Sequence, residues 1–354
     1  MTGTALLAAG IGTAVSEFPA RAEDLPDPTL VLTDSDSDTV TFLDLATDER
    51  ESVQVGIAPW GIARYGWRAF TATAEGVAVL DLRQRERTAL IPYETRPESL
   101  GYGEYRPGGM GIAVSPDGER VFVGNYLANG SSRLEVIDWQ AELVLGSVGS
   151  GVRPFDVLAS RDGRAAYSID HDSYTVTVLD LESMSGRILP VSPLGDALGL
   201  AGFEKPHYAV LYRDGRLLLP FQGQVLARLD PASGEYESIP LIANTHQHGI
   251  AINAAGDRLL IVGTGPAGGA TSGASLTVMD LVTNEQSLTP LTRPHERVAF
   301  SPDERLAYLT GGYSFAGQGW DGITIVDLVR QTTREIAVGS KPLDLLVLAN
   351  AENS

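Results

Sequence analysis

The feature that most constrains this chain is a pattern that returns seven times. Short β-type runs end in aspartate: TVTFLD, GVAVLD, RLEVID, TVTVLD, QVLARLD, SLTVMD and ITIVD close at Asp44, Asp81, Asp138, Asp180, Asp230, Asp280 and Asp327. Each alternates or runs apolar over five or six residues, a strand signature too short for a helix. A second marker precedes most of them. It is an apolar run, a tight turn and another apolar run, as in GIAVSPDGERVFV at 111–123, DVLASRDGRAAYS at 156–168 and RVAFSPDERLAYL at 297–309. Gly after Asp supplies the left-handed backbone that a tight hairpin needs. Each unit therefore reads strand, tight turn, strand, loop, strand, turn, strand. Four antiparallel strands repeating every about 40–50 residues make the propeller pattern.

The markers predict an all-β chain, a seven-bladed β-propeller of four-stranded antiparallel blades. Six blades have their four strands in order. The seventh is composite: residues 342–349 (PLDLLVLA) supply its inner strand and residues 29–55 the other three. That closure joins the two ends and removes open sheet edges. A β-sandwich is the competing architecture, and seven equivalent units with matched turns argue against it.

The repeats resemble the YVTN-type bacterial propeller repeat and the YncE-like proteins built from it. The motifs Val121-Phe122-Val123-Gly124-Asn125, Arg133-Leu134-Glu135-Val136-Ile137-Asp138 and Gly146…Val152-Arg153-Pro154-Phe155-Asp156-Val157 follow the family order, and Ser115-Pro116-Asp117-Gly118 matches its turn. The resemblance covers nearly all of 29–349. It implies the fold and leaves function open, because such folds host many chemistries.

Composition narrows the function classes. Of 354 residues, 43% are hydrophobic and 20% charged, which is globular. The net charge of −19 argues against nucleic acid and against an anionic membrane surface. The absence of cysteine excludes disulfides, thiolate metal sites, iron–sulfur clusters and a thiol nucleophile. Residues 5–15 (ALLAAGIGTAV) precede Ala20-Arg21-Ala22 and read as a secretory signal over 1–22, although 1–4 lack the usual basic residues. A linker over 23–28, a propeller over 29–349 and a tail over 350–354 follow. The expected product is a periplasmic or secreted monomer with no integral membrane segment in its mature form.

Antiparallel order puts the loops before each inner strand and those between second and third strands on one face. That face carries the long segments 94–108, 192–205, 264–274 and 311–321, and long loops on a rigid scaffold are where binding concentrates. The 264–274 loop lacks the Gly-Lys-Ser/Thr of a nucleotide loop. Asp34-Ser35-Asp36-Ser37-Asp38 starts like a calcium loop, but Thr39 and Leu45 stand where Gly and Glu are required.

Aligning the inner-strand starts gives Trp60, Met110, Phe155, His207, His248, His295 and Leu343, so three of the five histidines share one repeat position. Two residues earlier stand Ala58, Gly108, Arg153, Lys205, His246, Arg293 and Lys341, including both lysines of the chain. One residue later come Gly61, Gly111, Asp156, Tyr208, Gly249, Glu296 and Asp344. His171-Asp172, at the end of a second strand, could approach the same rim.

Three functions compete. The first is a binding module in which Arg153, Lys205, Arg293 and Lys341 attract a small anionic ligand or a partner protein and Trp60, Phe155 and Tyr208 give apolar contact. The second is a metal-dependent hydrolase or lyase, like the propeller lactonases in fold alone. In it His207, His248 and His295, with His246, hold one divalent ion such as zinc, and Glu296 or Asp156 is general base. The third is metal carriage by the same imidazoles without turnover. No Cys-x-x-Cys-His haem motif is present.

Overall fold

A computed structural model describes residues 28–127, 130–194, 205–245, 249–266, 273–312 and 319–349. The expected signal segment 1–22, most of the linker 23–28, the tail 350–354, His246 and His248 lie outside these residues.

The described strands form seven separate four-stranded antiparallel sheets, each with neighbours in sequence order except one. That one pairs Pro342–Leu348 with Thr29–Asp34, followed by Thr39–Asp44 and Arg50–Gln54. Thr29 lies opposite Leu348 and Asp34 opposite Pro342. The composite blade thus clasps the ring.

The recurrent aspartate has a local cause. In all seven blades its Oδ1 accepts backbone N–H groups two or three residues on, as with Ala46 and Thr47 on Asp44, Arg83 and Gln84 on Asp81, and Val329 and Arg330 on Asp327. Four residues after each aspartate stands a left-handed residue: Asp48, Arg85, Glu142, Met184, Gly234, Asn284 or Gln331. The side chain replaces the backbone partner that the turn removes. The opposite turns use another device. Ser115, Ser160 and Ser301 bond the aspartate two residues on and accept the N–H five residues on.

Apolar faces of adjacent blades pack into one another, and the inner strands meet around the centre. Trp60, Met110, Phe155 and Leu343, all at one repeat position, join Tyr208, Tyr212 and Ile250 in one buried cluster. Trp60 and Phe155 meet edge-on at 5.4 Å. The next position is glycine in three blades because the inner strands approach closely: a Cβ on Gly111 would sit 2.4 Å from the Asp156 carbonyl carbon, and one on Gly249 would sit 2.7 Å from the Arg297 Cα. Two residues before the shared position the backbone is left-handed at Ala58, Gly108, Arg153 and Lys341, with φ of 48°, 101°, 58° and 47°. The same kink feeds each of these inner strands.

Candidate metal centre

The blade whose inner strand is Pro154–Ala159 supplies the first part of the site. Its second strand, Ala165–Asp170, runs into a short 3-10 turn, His171–Ser173, that ends at left-handed Tyr174. Buried Asp170 holds the turn, accepting from Ser168, Thr175, Thr177 and the Gly151 N–H. This fixes His171, which is 1% exposed. Its Nδ1 lies 2.8 Å from Asp172 Oδ1.

Asp172 is itself clamped. Arg153 Nη2 lies 2.7 Å from Oδ2 and Lys205 Nζ 2.9 Å from Oδ1. Burial would raise its carboxyl, but hydrogen bonds from His171 and Lys205, with the Arg153 charge, hold it below the usual carboxylate range. A carboxylate can only accept, so the His171 proton sits on Nδ1 and the lone pair on Nε2. Burial, with the His207 charge second, pushes His171 down to about 3, which keeps the ring neutral. Nε2 is buried with no hydrogen-bond partner.

The blade that begins at Val210–Leu211 and the 94–108 segment complete the cluster. His207 precedes the short inner strand Val210–Leu211, stacks on Phe155 with ring centroids 3.9 Å apart, and lies 4.5 Å from the His171 ring. Glu104 reaches in from the 94–108 segment, its Oε1 3.6 Å from His207 Nε2 and its side chain 12% exposed. Burial alone would raise Glu104; the pull of His207, His171 and Arg153 lowers it instead. One ligand atom from each of Glu104, His171 and His207 falls within 4.8 Å of the other two. Among the described residues no other group of histidine and carboxylate side chains is so arranged. Bonds of about 2 Å to one ion need ligand atoms about 3–4 Å apart, so a modest tightening suffices. Two imidazoles and a carboxylate, with a carboxylate behind one imidazole, are what a divalent ion takes.

A second polar network occupies the position after the shared one. Tyr208 donates to Glu296. Arg297 bonds Asp344 through Nε and Nη2 at 3.0 and 3.3 Å, lies 3.7 Å from Asp156, and covers the Tyr208 ring at 4.2 Å. Asp156 also accepts the Ala209 N–H and Asp344 the Ile62 N–H, so with Arg297 five blades are tied through two carboxylates. Burial first, with the nearby Glu104 charge contributing, pushes Glu296 to about 8. It is therefore mostly protonated at neutral pH, where the expected general base would need to be ionised.

The structure gathers part of the expected site. His207, Arg153, Lys205 and Phe155 come together around Asp172 and His171. His295 does not join them: it is fully buried, with Nε2 2.6 Å from Thr324 Oγ1 and its ring 6.1 Å from Trp320. The cause is alternation along an extended chain. Glu296 turns to Tyr208, so His295 turns back into its own blade. Arg293 pairs with Glu335 at 3.4 Å over Trp320, and Lys341 pairs with Asp36 at 2.9 Å. Neither reaches Asp172. Trp60, Phe155 and Tyr208 are buried in the central cluster. Glu104 was not foreseen.

The chain shares its fold with solved propellers. Kuenenia stuttgartiensis hydrazine synthase aligns with a TM-score of 0.60 at 18% identity over 92% of this chain and 99% of that one. A periplasmic gluconolactonase of Pseudomonas aeruginosa aligns at 0.65 and 14% identity over 91% and 99%. A dihydro-heme d1 dehydrogenase in complex with DHE aligns at 0.59 and 18% over 91% and 66%. At these identities the likeness is one of fold. No protein-family model and no curated protein matches the chain. No described helix is long and apolar enough to cross a membrane.

Proposed function

We propose that this chain is an exported propeller of the YVTN type that binds one divalent metal ion at the mouth of its central channel. Glu104, His171 and His207 are the ligands, and a small anionic molecule is the partner of the loaded site. The observation that carries the reading is the state of His171: Asp172 fixes its proton on Nδ1, while Nε2 is buried, without a partner, and converges with His207 and Glu104. Burying a polar nitrogen unsatisfied costs about 1–3 kcal/mol, and an ion would remove that cost. The anionic partner is supported by Arg153, whose side chain is 4% exposed and whose Nε and Nη1 have no hydrogen-bond partner. Export is supported by the apolar segment before Ala20-Arg21-Ala22 and by a fold neighbour described as periplasmic.

Elemental analysis of purified protein and calorimetric titration with zinc, manganese and copper test the metal. One ion per chain is expected in the native protein, and none in the His171→Ala/His207→Ala double variant. A native protein that takes up none of the three ions overturns the reading.

A second reading is metal-dependent hydrolysis, as in a lactonase. Three protein ligands leave a zinc-like ion a position for water, whose pKa such an ion lowers toward about 7. Turnover of lactone and ester substrates by the metal-loaded protein, absent in Glu104→Gln, would favour it.

A further inference from the structure

We infer that Arg106 is a positioning residue, which pins the tip of the 94–108 segment across the channel mouth so that Glu104 stands as the third metal ligand. The inference rests on the metal reading above and deepens it. Glu104 and Tyr105 are the corners of a turn closed by the Arg106 N–H on Gly103 O at 3.2 Å, with Gly103 left-handed. The tip touches three other blades: Tyr102 Oη lies 3.1 Å from Asp38 Oδ2, Tyr105 lies under the Arg153 guanidinium at 3.8 Å, and Glu104 faces His207. Tyr102 and Tyr105 are more than half exposed, so neither is a firm anchor. Arg106 is 2% exposed. Among the described residues its guanidinium has backbone carbonyls as hydrogen-bond partners and no carboxylate: Nη2 donates to Ala58 O and Gly109 O, each at 2.7 Å, and Nη1 to Pro107 O at 3.1 Å. Trp60 lies 5.9 Å away. Ala58 is the left-handed residue that leads into one inner strand, and Gly109 is near the start of the next, Gly108–Val114.

A buried guanidinium with no counter-ion is expensive to keep. What it does here is join two inner strands to a turn whose corner residue is Glu104, two positions away. Without it the turn loses its buried anchor to the inner strands, and the carboxylate loses its fixed approach to His171 and His207. Outer partners that orient a ligand typically set metal affinity by about 10–100-fold.

Zinc titration of the native chain and of Arg106→Met, Arg106→Lys, Glu104→Gln and Glu104→Gln/Arg106→Met tests this. Arg106→Met is expected to lose about tenfold or more in zinc affinity. The same change on the Glu104→Gln background should lose less than about twofold, because pairs that act as one unit are not additive. Cobalt supplies a second readout. The visible spectrum of cobalt-loaded Arg106→Met should match that of Glu104→Gln, and Arg106→Lys should fall between it and the native spectrum. If Arg106→Met is poorly folded, Arg106→Lys carries the same comparison. Equal losses with and without Glu104, or a native-like cobalt spectrum in both Arg106 variants, overturn the inference and leave the metal reading standing. A native chain that takes no zinc or cobalt overturns both.

Discussion

Ser35 and His171 occupy the same place in two blades of the ring. Each opens a 3-10 turn, Ser35–Ser37 or His171–Ser173, after a buried aspartate, and each turn ends at a left-handed residue, Asp38 or Tyr174. Asp36 then meets Lys341 as Asp172 meets Arg153. The backbone of the candidate centre is therefore a turn the protein builds elsewhere for other ends, and an imidazole in place of a hydroxyl is what makes it chemically distinct. His171→Ser installs the residue of the sister turn. We expect it to fold with an unchanged circular dichroism spectrum and cooperative unfolding. Its zinc affinity by calorimetry should fall by more than the about 10–100-fold typical of an outer partner.

Asp172→Asn removes the negative charge that holds the His171 proton on Nδ1 and balances Arg153 and Lys205, and leaves one neutral acceptor oxygen. Breaking a buried pair from one side costs about 3–5 kcal/mol, and the lower end applies because Asp172 keeps 18% of its side-chain surface in water. Urea unfolding should show a loss of about 3 kcal/mol, and zinc affinity should drop as well. A loss of stability with native zinc affinity would show that Asp172 does not orient His171.

Arg297→Met should destabilise the ring centre. Asp156 and Asp344 would keep their buried carboxylates and lose the shared guanidinium. A loss of about 3 kcal/mol is expected in chemical unfolding at pH 7. Burial already raises the Asp156 pKa and Arg297 restrains it, so the variant should recover part of its stability in acid. An equal deficit at pH 4.5 and pH 8 would contradict this.

Asp34 gives the fold a pH dependence away from the metal cluster. Burial, against a hydrogen bond from Thr41 and with the Asp321 charge adding to it, raises its carboxyl to about 7. In the unfolded chain it titrates near its ordinary value of 3.8. Between these values the folded state holds the proton more tightly, so stability falls as pH rises from about 4 to 7 and levels off above. Asp34→Asn should flatten that part of a stability–pH curve measured by thermal melts. A slope that survives the substitution would assign the effect to other groups.

The fold was legible because its rule is periodic. The aspartate at the end of each third strand, the serine turn and the composite blade are local devices repeated along the chain, and one copy reads like the next. The register also led to His207. It misled at His295, where which way an extended residue faces depends on a partner, Tyr208, in another blade. Glu104 had no signal of that kind, since it sits in a segment without a period and meets His207 only after the ring is built. His171 did carry a signal. Asp-Ser-Asp-Ser-Asp-Thr at 34–39 and Asp-His-Asp-Ser-Tyr-Thr at 170–175 are one turn written twice, and setting them side by side isolates the histidine.

The clasp between the two ends has a consequence for biogenesis. The Asp344 N–H bonds Thr33 Oγ1 across 311 positions of sequence, and Thr29 waits for Leu348. A ribosome must therefore reach Leu348 before the ring can lock, and contacts so distant in sequence form slowly. Until then the composite blade lacks its inner strand, and the edge of Thr29–Asp34 that pairs with it stays open.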